Sequence, residues 1–395
     1  MIELKRLFTF LSIVLFISSC RDLRQLNTLI TIDVKASYPA KELVLQDFMD
    51  VEYIALETND EFVNNGSVLA IGDGFMIVSS GAGDRGFFIY DRAGKGLRKI
   101  NRQGRGSQEY INISQIVLDE GNSEIFVNDY LSKRIQVYDL FGKFKRSLPY
   151  KEDYRYESIY AFDEENFICE DSSFYNDLDA TDEPQFIIIS KQDGSVVKEI
   201  QIPYKEKKSN TVRVEKNGIM SVSYVYSCPV IPYHDSWILT SHSSDTVFRY
   251  FLDHSMIPFM TRTPSVHTMN PEVFLFPEIL TERYYFLQIL NLNPEFRGTT
   301  IYDAELFIPK TYLAYDRQEE LIFKYTVYND DFSTKSVVNM SQKTINNEIA
   351  FWQSLGADML VEAYEKGELK GKLKGIAAEL EEDSNPVIML VKYRK

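Results

Sequence analysis

The chain has 395 residues, with 43 Lys and Arg against 58 Asp and Glu, for a formal net charge of -15. The cations are scattered, which excludes a nucleic-acid or anionic-lipid surface held by charge, and three cysteines exclude both a disulfide framework and a zinc site of the Cys-x-x-Cys kind. Hydrophobic residues at 44% are enough for a sizeable core.

The N-terminus reads as an export signal. Lys5 and Arg6 precede an apolar run over 7–17, followed by Ile17-Ser18-Ser19-Cys20. The run is too short to span a bilayer comfortably, and its order of positive flank, apolar stretch and small residues is that of a signal peptide. A cysteine directly after the small residues resembles the lipobox of bacterial lipoproteins, so 1–19 is expected to be removed and the Cys20 thiol acylated. Each buried acyl CH₂ adds about 0.8 kcal/mol of membrane affinity. Residues 20–34 are then a tether, and "LITIDV" at 29–34 is a candidate strand to latch onto the end of the chain. The rest, 35–395, is expected to be a single domain.

That domain repeats itself. "FIYDRAGKGLRKI" (88–100) lies over "QVYDLFGKFKRSL" (136–148) at a constant offset of 48, which aligns Tyr90 with Tyr138, Asp91 with Asp139, Gly94 with Gly142, Lys95 with Lys143 and Arg98 with Arg146. A third copy, "IIISKQDGSVVKEI" (187–200), places Gly194 52 residues after Gly142, and a fourth, "DTVFRYFLDHSMIPFM" (245–260), has lost its glycine. Each copy reads as strand, polar turn, strand, the glycine supplying the positive backbone angle of a tight hairpin. Short alternating runs such as "QIVLD" (115–119) and "EIFVND" (124–129) fall between copies. About four strands per period of roughly 50 residues is the signature of a β-propeller blade, which buries its faces only by stacking on its neighbours around an axis. Residues 35–395 accommodate six or seven such blades.

Two segments depart from this rhythm. Glycine-rich "GRGSQEY" (104–110) is followed by residues of strand character and lacks the Lys-Ser/Thr of a phosphate loop, so it reads as a connection between blades. Arg102, Arg105 and Glu109 are its candidates for ligand contact on the face of the ring. Near the C-terminus, Ile345, Ile349, Trp352 and Leu355 recur at helical spacing, and 358–383 has helix-favouring composition interrupted by Gly367, Gly371 and Gly375, which predicts one or two short surface helices. "NPVIMLVKY" (385–393) reads as a buried strand of the last blade.

"YDRAGKGLRKINRQGRGSQEY" (90–110), "IFVNDYLSKRIQVYD" (125–139), "VEYIALET" (51–58) and the terminal "EEDSNPVIMLVKY" together resemble the six-bladed β-propeller lipoproteins common in Bacteroidota, relatives of NHL-repeat propellers. The resemblance covers essentially the whole mature chain and implies an all-β, six-bladed β-propeller with a short C-terminal helical insert. In that family the turn at 106–110 usually reads Gly-Pro-Gly-Glu-Tyr; here it is Gly106-Ser107-Gln108-Glu109-Tyr110, which puts in doubt any function attached to it.

No catalytic constellation emerges. The acidic stretch 170–184 offers Asp177, Asp179 and Asp182, but the sixth and twelfth positions of a calcium loop counted from Asp177 are Asp182 and Ile188 instead of Gly and Glu. His234, His242, His254 and His267 lack spacings that would point two imidazoles the same way. Cys169 and Cys228 read as small buried apolar residues, and Trp237 as blade core. No metal, cofactor or catalytic residue is therefore assigned. The expectation is a non-catalytic binding or scaffold module, tethered through Cys20 to the periplasmic side of the outer membrane with the cell surface as the other face, and recognising a protein, peptide or glycan of the envelope. A metal-dependent hydrolase or lyase with its site at the channel mouth is the alternative.

Overall fold

The structure, a computed structural model, describes residues 29–81, 85–181, 183–216, 219–225, 228–297 and 305–394. Cys20 and the expected signal segment, 1–19, lie outside the described residues. The fold is a six-bladed β-propeller. Blade 1 is Val68–Ile71, Phe75–Ser79, Phe87–Asp91 and Gly96–Ile100; blade 2 is Gln115–Asp119, Glu124–Asp129, Arg134–Asp139 and Phe144–Pro149; blade 3 is Tyr156–Ala161, Asn166–Asp171, Phe186–Ser190 and Val196–Ile200. Blade 4 is Val230–Tyr233, Ser236–Leu239, Thr246–Phe251 and Met256–Thr263, and blade 5 is Val273–Leu280, Tyr284–Asn291, Lys310–Asp316 and Leu321–Asn329. In each the first strand is innermost, and those of blades 1, 2 and 3 lie against one another around the axis.

The four repeats found in the sequence are the outer hairpins of blades 1 to 4. Each carries the same irregularity, a register shift between Ile89 and Tyr90, Val137 and Tyr138, Ile188 and Ile189, or Val247 and Phe248. Gly94, Gly142 and Gly194 take φ of +86°, +77° and +76°. Where the fourth copy has lost its glycine, His254 adopts φ +65°, and its N–H donates to Phe251 O as Gly94 N–H donates to Asp91 O. Asp91 and Asp139 brace their turns identically, each Oδ1 accepting from the N–H groups two and four residues on.

Blade 6 is assembled from both ends of the chain. Ile349–Leu355 and Val387–Tyr393 pair with Met49–Ala55, in antiparallel register from Met49 with Tyr393 to Ala55 with Val387. Residues 339–345 occupy the innermost position, turning into Ile349–Leu355 through bonds from Ile345 N–H to Ala350 O (3.1 Å) and Asn346 N–H to Ile349 O (3.1 Å). The strand expected to latch the ring, 29–34, does something else: Ile30–Asp33 runs parallel to Met256–Thr263 on the rim of blade 4. Ala40–Val44 then lies parallel to Leu321–Asn329 on the rim of blade 5. The N-terminal segment is thus a strap over three successive outer edges, and closure falls to its last strand. The reason is geometric: Val387–Tyr393 requires an antiparallel partner of its own length, and the seven residues of Met49–Ala55 supply one where the four of Ile30–Asp33 do not.

Apolar burial follows the ring. Six clusters fill the six interfaces between neighbouring blades, such as Ile54, Val68, Met76, Ile388 and Leu390 between blades 6 and 1 or Phe126, Ile135, Tyr156, Phe167 and Ile187 between blades 2 and 3. The remaining four interfaces are filled likewise. A seventh cluster, with Val225, Phe274 and Leu290, sits beside two inserted hairpins, Thr211–Lys216 with Ile219–Tyr224 and Glu295–Arg297 with Glu305–Phe307, which meet each other.

Two short helices, α1 (Ala357–Glu365) and α2 (Gly371–Ala377), interrupt blade 6 between Ile349–Leu355 and Val387–Tyr393. The helical spacing of Ile345, Ile349, Trp352 and Leu355 was misleading, because 349–355 is a strand. Its first three residues, Ile349, Ala350 and Phe351, are buried one after another, so its apolar residues do not alternate. Nor are the helices purely superficial: Leu360 and Leu373 are fully buried against the interface of blades 5 and 6.

Candidate functional site

The chain enters each innermost strand from one face of the ring and turns into the second strand at the other. The 102–110 connection is on the entry face, where the loop binds itself. Glu109 Oε2 accepts from Gly106 N–H (2.8 Å), Arg102 Nε donates to Gly142 O (2.7 Å), and Arg134 and Gln136 of blade 2 donate to Glu109 O (2.9 and 2.8 Å). A Cβ on Gly104 would lie 1.9 Å from the Glu109 carboxylate, so this glycine makes room for a carboxylate of its own loop, the opposite of a phosphate cradle. Arg105 is exposed on the same loop. The structure therefore brings Arg102, Arg105 and Glu109 together, with Arg102 and Glu109 committed to holding the connection.

The acidic stretch carries its own cation. Asp182 lies outside the described residues, but Lys207, whose side chain is fully buried, donates to Phe174 O (2.9 Å) and Asp177 O (2.9 Å) and pairs with Glu183. Its ammonium sits among oxygens where the sequence invited a calcium ion. The four histidines are dispersed: His234 pairs with Glu282 (3.3 Å), His267 with Glu206 (3.3 Å), His254 stacks on Phe162, and His242 is buried with Nδ1 2.9 Å from the Tyr175 hydroxyl. Burial lowers the pKa of His242 to about 4. Trp237 packs on Phe162 between blades 3 and 4, and both Cys169 and Cys228 are free thiols. Among the described residues, no group of three or more His, Cys, Asp and Glu is arranged to hold a metal ion.

Two further features have no counterpart in the sequence pattern. The first is a polar cluster in the central channel. Glu278 of the innermost strand of blade 5 is buried and accepts from Ser341 Oγ (3.2 Å), which in turn accepts from Gln288 Nε2 (2.6 Å). Cys228, entering blade 4, has its sulfur 3.9 Å from Gln342 O. Lys343, on the innermost run of blade 6, places Nζ 4.6 Å from the centre of the Tyr160 ring in blade 3. This lysine is reached by solvent yet walled by blades, so desolvation lowers its pKa, opposed by Cys228 and Glu170. Desolvation raises Glu170 and Glu278 to about 8, with Glu157 adding to the first and the Ser341 bond opposing the second. Both carboxyls are thus largely protonated at neutral pH.

The sign of the resulting pH dependence follows from linkage. A carboxyl whose pKa rises on folding binds protons more tightly in the native state, so its contribution is complete below about pH 4.5 and drains away as pH rises to about 8. Glu278→Gln and Glu170→Gln are expected to match the wild type in urea unfolding at pH 5 and to exceed it at pH 8.5, by an amount of the order of a few kcal/mol. Equal gains at both pH values would contradict these protonation states.

The second feature is a groove of about 550 Å³ on the other face, where the first turns of blades 4, 5 and 6 converge. Phe48, Pro232, Tyr233 and Leu280 are its apolar lining; Glu282, Arg283 and Arg394 are its charged rim, with His234 beside them. The rim is preorganised: Asn347 Nδ2 donates to His234 O (2.6 Å), Arg317 Nη1 lies 3.3 Å from Glu282, Arg283 Nη2 lies 3.3 Å from Asp316, and Arg394 Nη1 and Nη2 donate to Asp47 O (2.7 Å) and Gln46 O (2.6 Å). No sequence motif marks the groove, because its residues come from positions 47 to 394 and meet only in the closed ring.

Residues 29–392 match the profile of a domain of unknown function, DUF4934. No curated protein matches the chain. Among solved structures, a Bacteroides fragilis protein described as exported is similar over 93% of this chain and 100% of its own, with a TM-score of 0.60 and 13% identity. A DUF4221 family member from Bacteroides vulgatus is similar over 89% of this chain and 99% of its own, with a TM-score of 0.47 and 8% identity. Virginiamycin B lyase from Staphylococcus aureus is similar over 88% of this chain and 100% of its own, with a TM-score of 0.37 and 9% identity. At these identities the first likeness shows the fold alone.

Proposed function

The chain belongs to the DUF4934 family, and from that premise we propose that it is an exported, lipid-anchored propeller that binds a protein partner in the cell envelope without transforming it. The observation that carries this reading is the groove: an apolar lining with a rim of both charge signs, already hydrogen-bonded in place. Its volume lies in the range of sites that enclose a ligand of a few residues. An extended peptide segment of the partner, alternating apolar and charged side chains, fits such a lining, and a rim held by its own bonds loses little entropy on binding. Export is supported by the 1–19 signal pattern and anchoring by Cys20. No helix among the described residues is long and apolar enough to cross a membrane, in keeping with attachment through lipid. The periplasmic side of the outer membrane is the placement we favour, since "RDLRQLN" after Cys20 lacks an acidic run.

Crosslinking from native membranes tests the groove. A discrete partner is expected with the wild type, lost or reduced at least tenfold with Glu282→Lys and Arg283→Glu together, and retained with Arg105→Glu on the opposite face. Cys20→Ser is expected to move the protein into the soluble fraction. Identical crosslinks from the wild type and the groove variant would overturn the assignment of the surface.

A further inference from the structure

A hairpin with one face packed on the body ordinarily keeps its apolar side chains inside and its polar ones outside. The inserted hairpin of Thr211–Lys216 and Ile219–Tyr224 inverts this order. Ser221 and Ser223 are half-buried, whereas Met220, Val222 and Tyr224 on the other face are 65%, 46% and 56% exposed. Arg213 pairs opposite Val222 and Glu215 opposite Met220, both exposed. Phe307, 40% exposed, belongs to Glu305–Phe307 of the second hairpin, which meets Ile219–Tyr224. The four side chains present on the order of 400 Å² of apolar surface, a patch size that marks a contact site. Both hairpins emerge on the entry face: the first lies in the connection from blade 3 to blade 4, and the second follows the second strand of blade 5, which runs back to that face.

We propose that this corner of the entry face rests on a phospholipid bilayer, with Met220, Val222, Tyr224 and Phe307 entering the boundary between headgroups and acyl chains and Arg213 reaching back to the headgroups. Given the anchoring through Cys20 proposed above, on which this rests, the bilayer is never far. From Cys20 to Leu29 the chain spans at most about 30 Å, and Ile30–Asp33 lies along Met256–Thr263 of blade 4. That strand leads into 264–272, where Val266 shares a cluster with Val212 of the hairpin and His267 pairs with Glu206 (3.3 Å) just before it. Charge does not oppose the contact: Lys205, Lys207, Lys208, Arg213 and Lys216 stand against Glu206 and Glu215, in a chain of net charge -15. Size favours lipid over a protein. One side of a stable protein interface needs about 800 Å², roughly twice this patch, whereas a face already tethered needs only enough apolar contact to set its orientation.

The orientation has a consequence for the groove. It opens on the opposite face of the ring, so it points away from the bilayer and a partner reaches it from the aqueous side. Phe141, in the turn between the third and fourth strands of blade 2, lies on that opposite face and stays in water although it is 75% exposed.

Fluorescence quenching by brominated acyl chains reads the contact. Tyr224→Trp and Phe141→Trp are each placed in the chain with residues 1–19 replaced by a histidine tag, which a nickel-chelating lipid holds on vesicles of phosphatidylethanolamine and phosphatidylglycerol. The tag supplies an anchor whether or not cells acylate Cys20. Emission added at 224 is expected to shift to the blue and to be quenched at least about threefold, and emission added at 141 to be unchanged. Met220→Ser with Val222→Ser, both at exposed positions, is expected to abolish quenching at 224 and to leave the urea midpoint where it was. Replacing phosphatidylglycerol by phosphatidylcholine is expected to change the quenching by less than about twofold, because apolar contact and not charge holds the face. The proposal is overturned if 224 is not quenched on anchored vesicles, if 141 is quenched as strongly, if the two serines leave quenching intact, or if it vanishes without phosphatidylglycerol. A dimer in solution that the two serines dissociate would also overturn it, by giving the patch to a second copy. Quenching at 224 supports the surface even if mass spectrometry of the cellular protein finds Cys20 without acyl chains, a result that would overturn the anchoring alone.

Discussion

Replacing Ile54 by Asp is expected to destabilise the protein by about 4 to 5 kcal/mol, the largest single effect anticipated here, and to abolish one cooperative unfolding transition. Ile54 is 4% exposed, lies opposite Ile388 in the closing pair, and fills the interface between blades 6 and 1. A carboxylate there has neither water nor a partner, so it must take up a proton or force the closing strand out. Because this strand is the only covalently distant element of blade 6, its displacement uncovers the rim of Val387–Tyr393 and frees the blade from its neighbour. Deleting 29–34 is expected to act differently. Ile32 is fully buried, so stability falls, but blade 4 retains its four strands and the ring stays closed. Urea unfolding followed by tyrosine fluorescence measures both losses, and native-state proteolysis reads ring opening. A deletion of 29–34 that opens the ring while Ile54→Asp leaves it shut would refute this assignment of the latch.

The second large effect is expected at Gly94. All three repeat glycines have positive φ, but a left-handed conformation alone costs an L-residue only about 1 kcal/mol, and His254 and Glu320 occupy the corresponding turns of blades 4 and 5 with φ of +65° and +54°. Close approach decides the ranking. A Cβ on Gly94 would stand 2.0 Å from Ala55 O, a backbone atom of the closing strand. On Gly142 it would meet Ile100 Cγ2 at 2.9 Å, a side-chain atom able to yield, and on Gly194 Leu148 Cβ at 3.1 Å and Pro149 O at 3.2 Å, tight contacts that a shift of a few tenths of an ångström relieves. Gly94→Ala is therefore expected to cost about 3 to 4 kcal/mol and Gly142→Ala or Gly194→Ala about 1 to 2 kcal/mol, readable as urea midpoints. Equal losses at the three positions would mean that conformation, not packing against the latch, makes this glycine necessary.

These residues show how far local information reaches. The hairpin repeat is legible because Asp91, Gly94 and their counterparts answer a local demand: a turn needs an acceptor for its own N–H groups and a residue tolerant of positive φ. That demand is the same in every blade and recurs at fixed spacing. The 104–110 turn was readable as a connection for the same reason, although the carboxylate for which Gly104 makes room is apparent only in the fold. The strand at 349–355 is not legible as one because Ile349, Ala350 and Phe351 are buried consecutively, which erases the alternation from which strands are recognised.

From the amino-acid order alone came the all-β class, the repeating unit of about fifty residues and the short helical insert, since each rests on contacts between residues near in the chain. Tertiary structure decided which N-terminal strand locks the ring, how Lys207 came to occupy the acidic loop, and that Phe48, Leu280 and Arg283 meet in one groove. Those outcomes depend on burial and on distances between residues scores of positions apart, quantities that no local pattern encodes and that come into being only when the sixth blade meets the first.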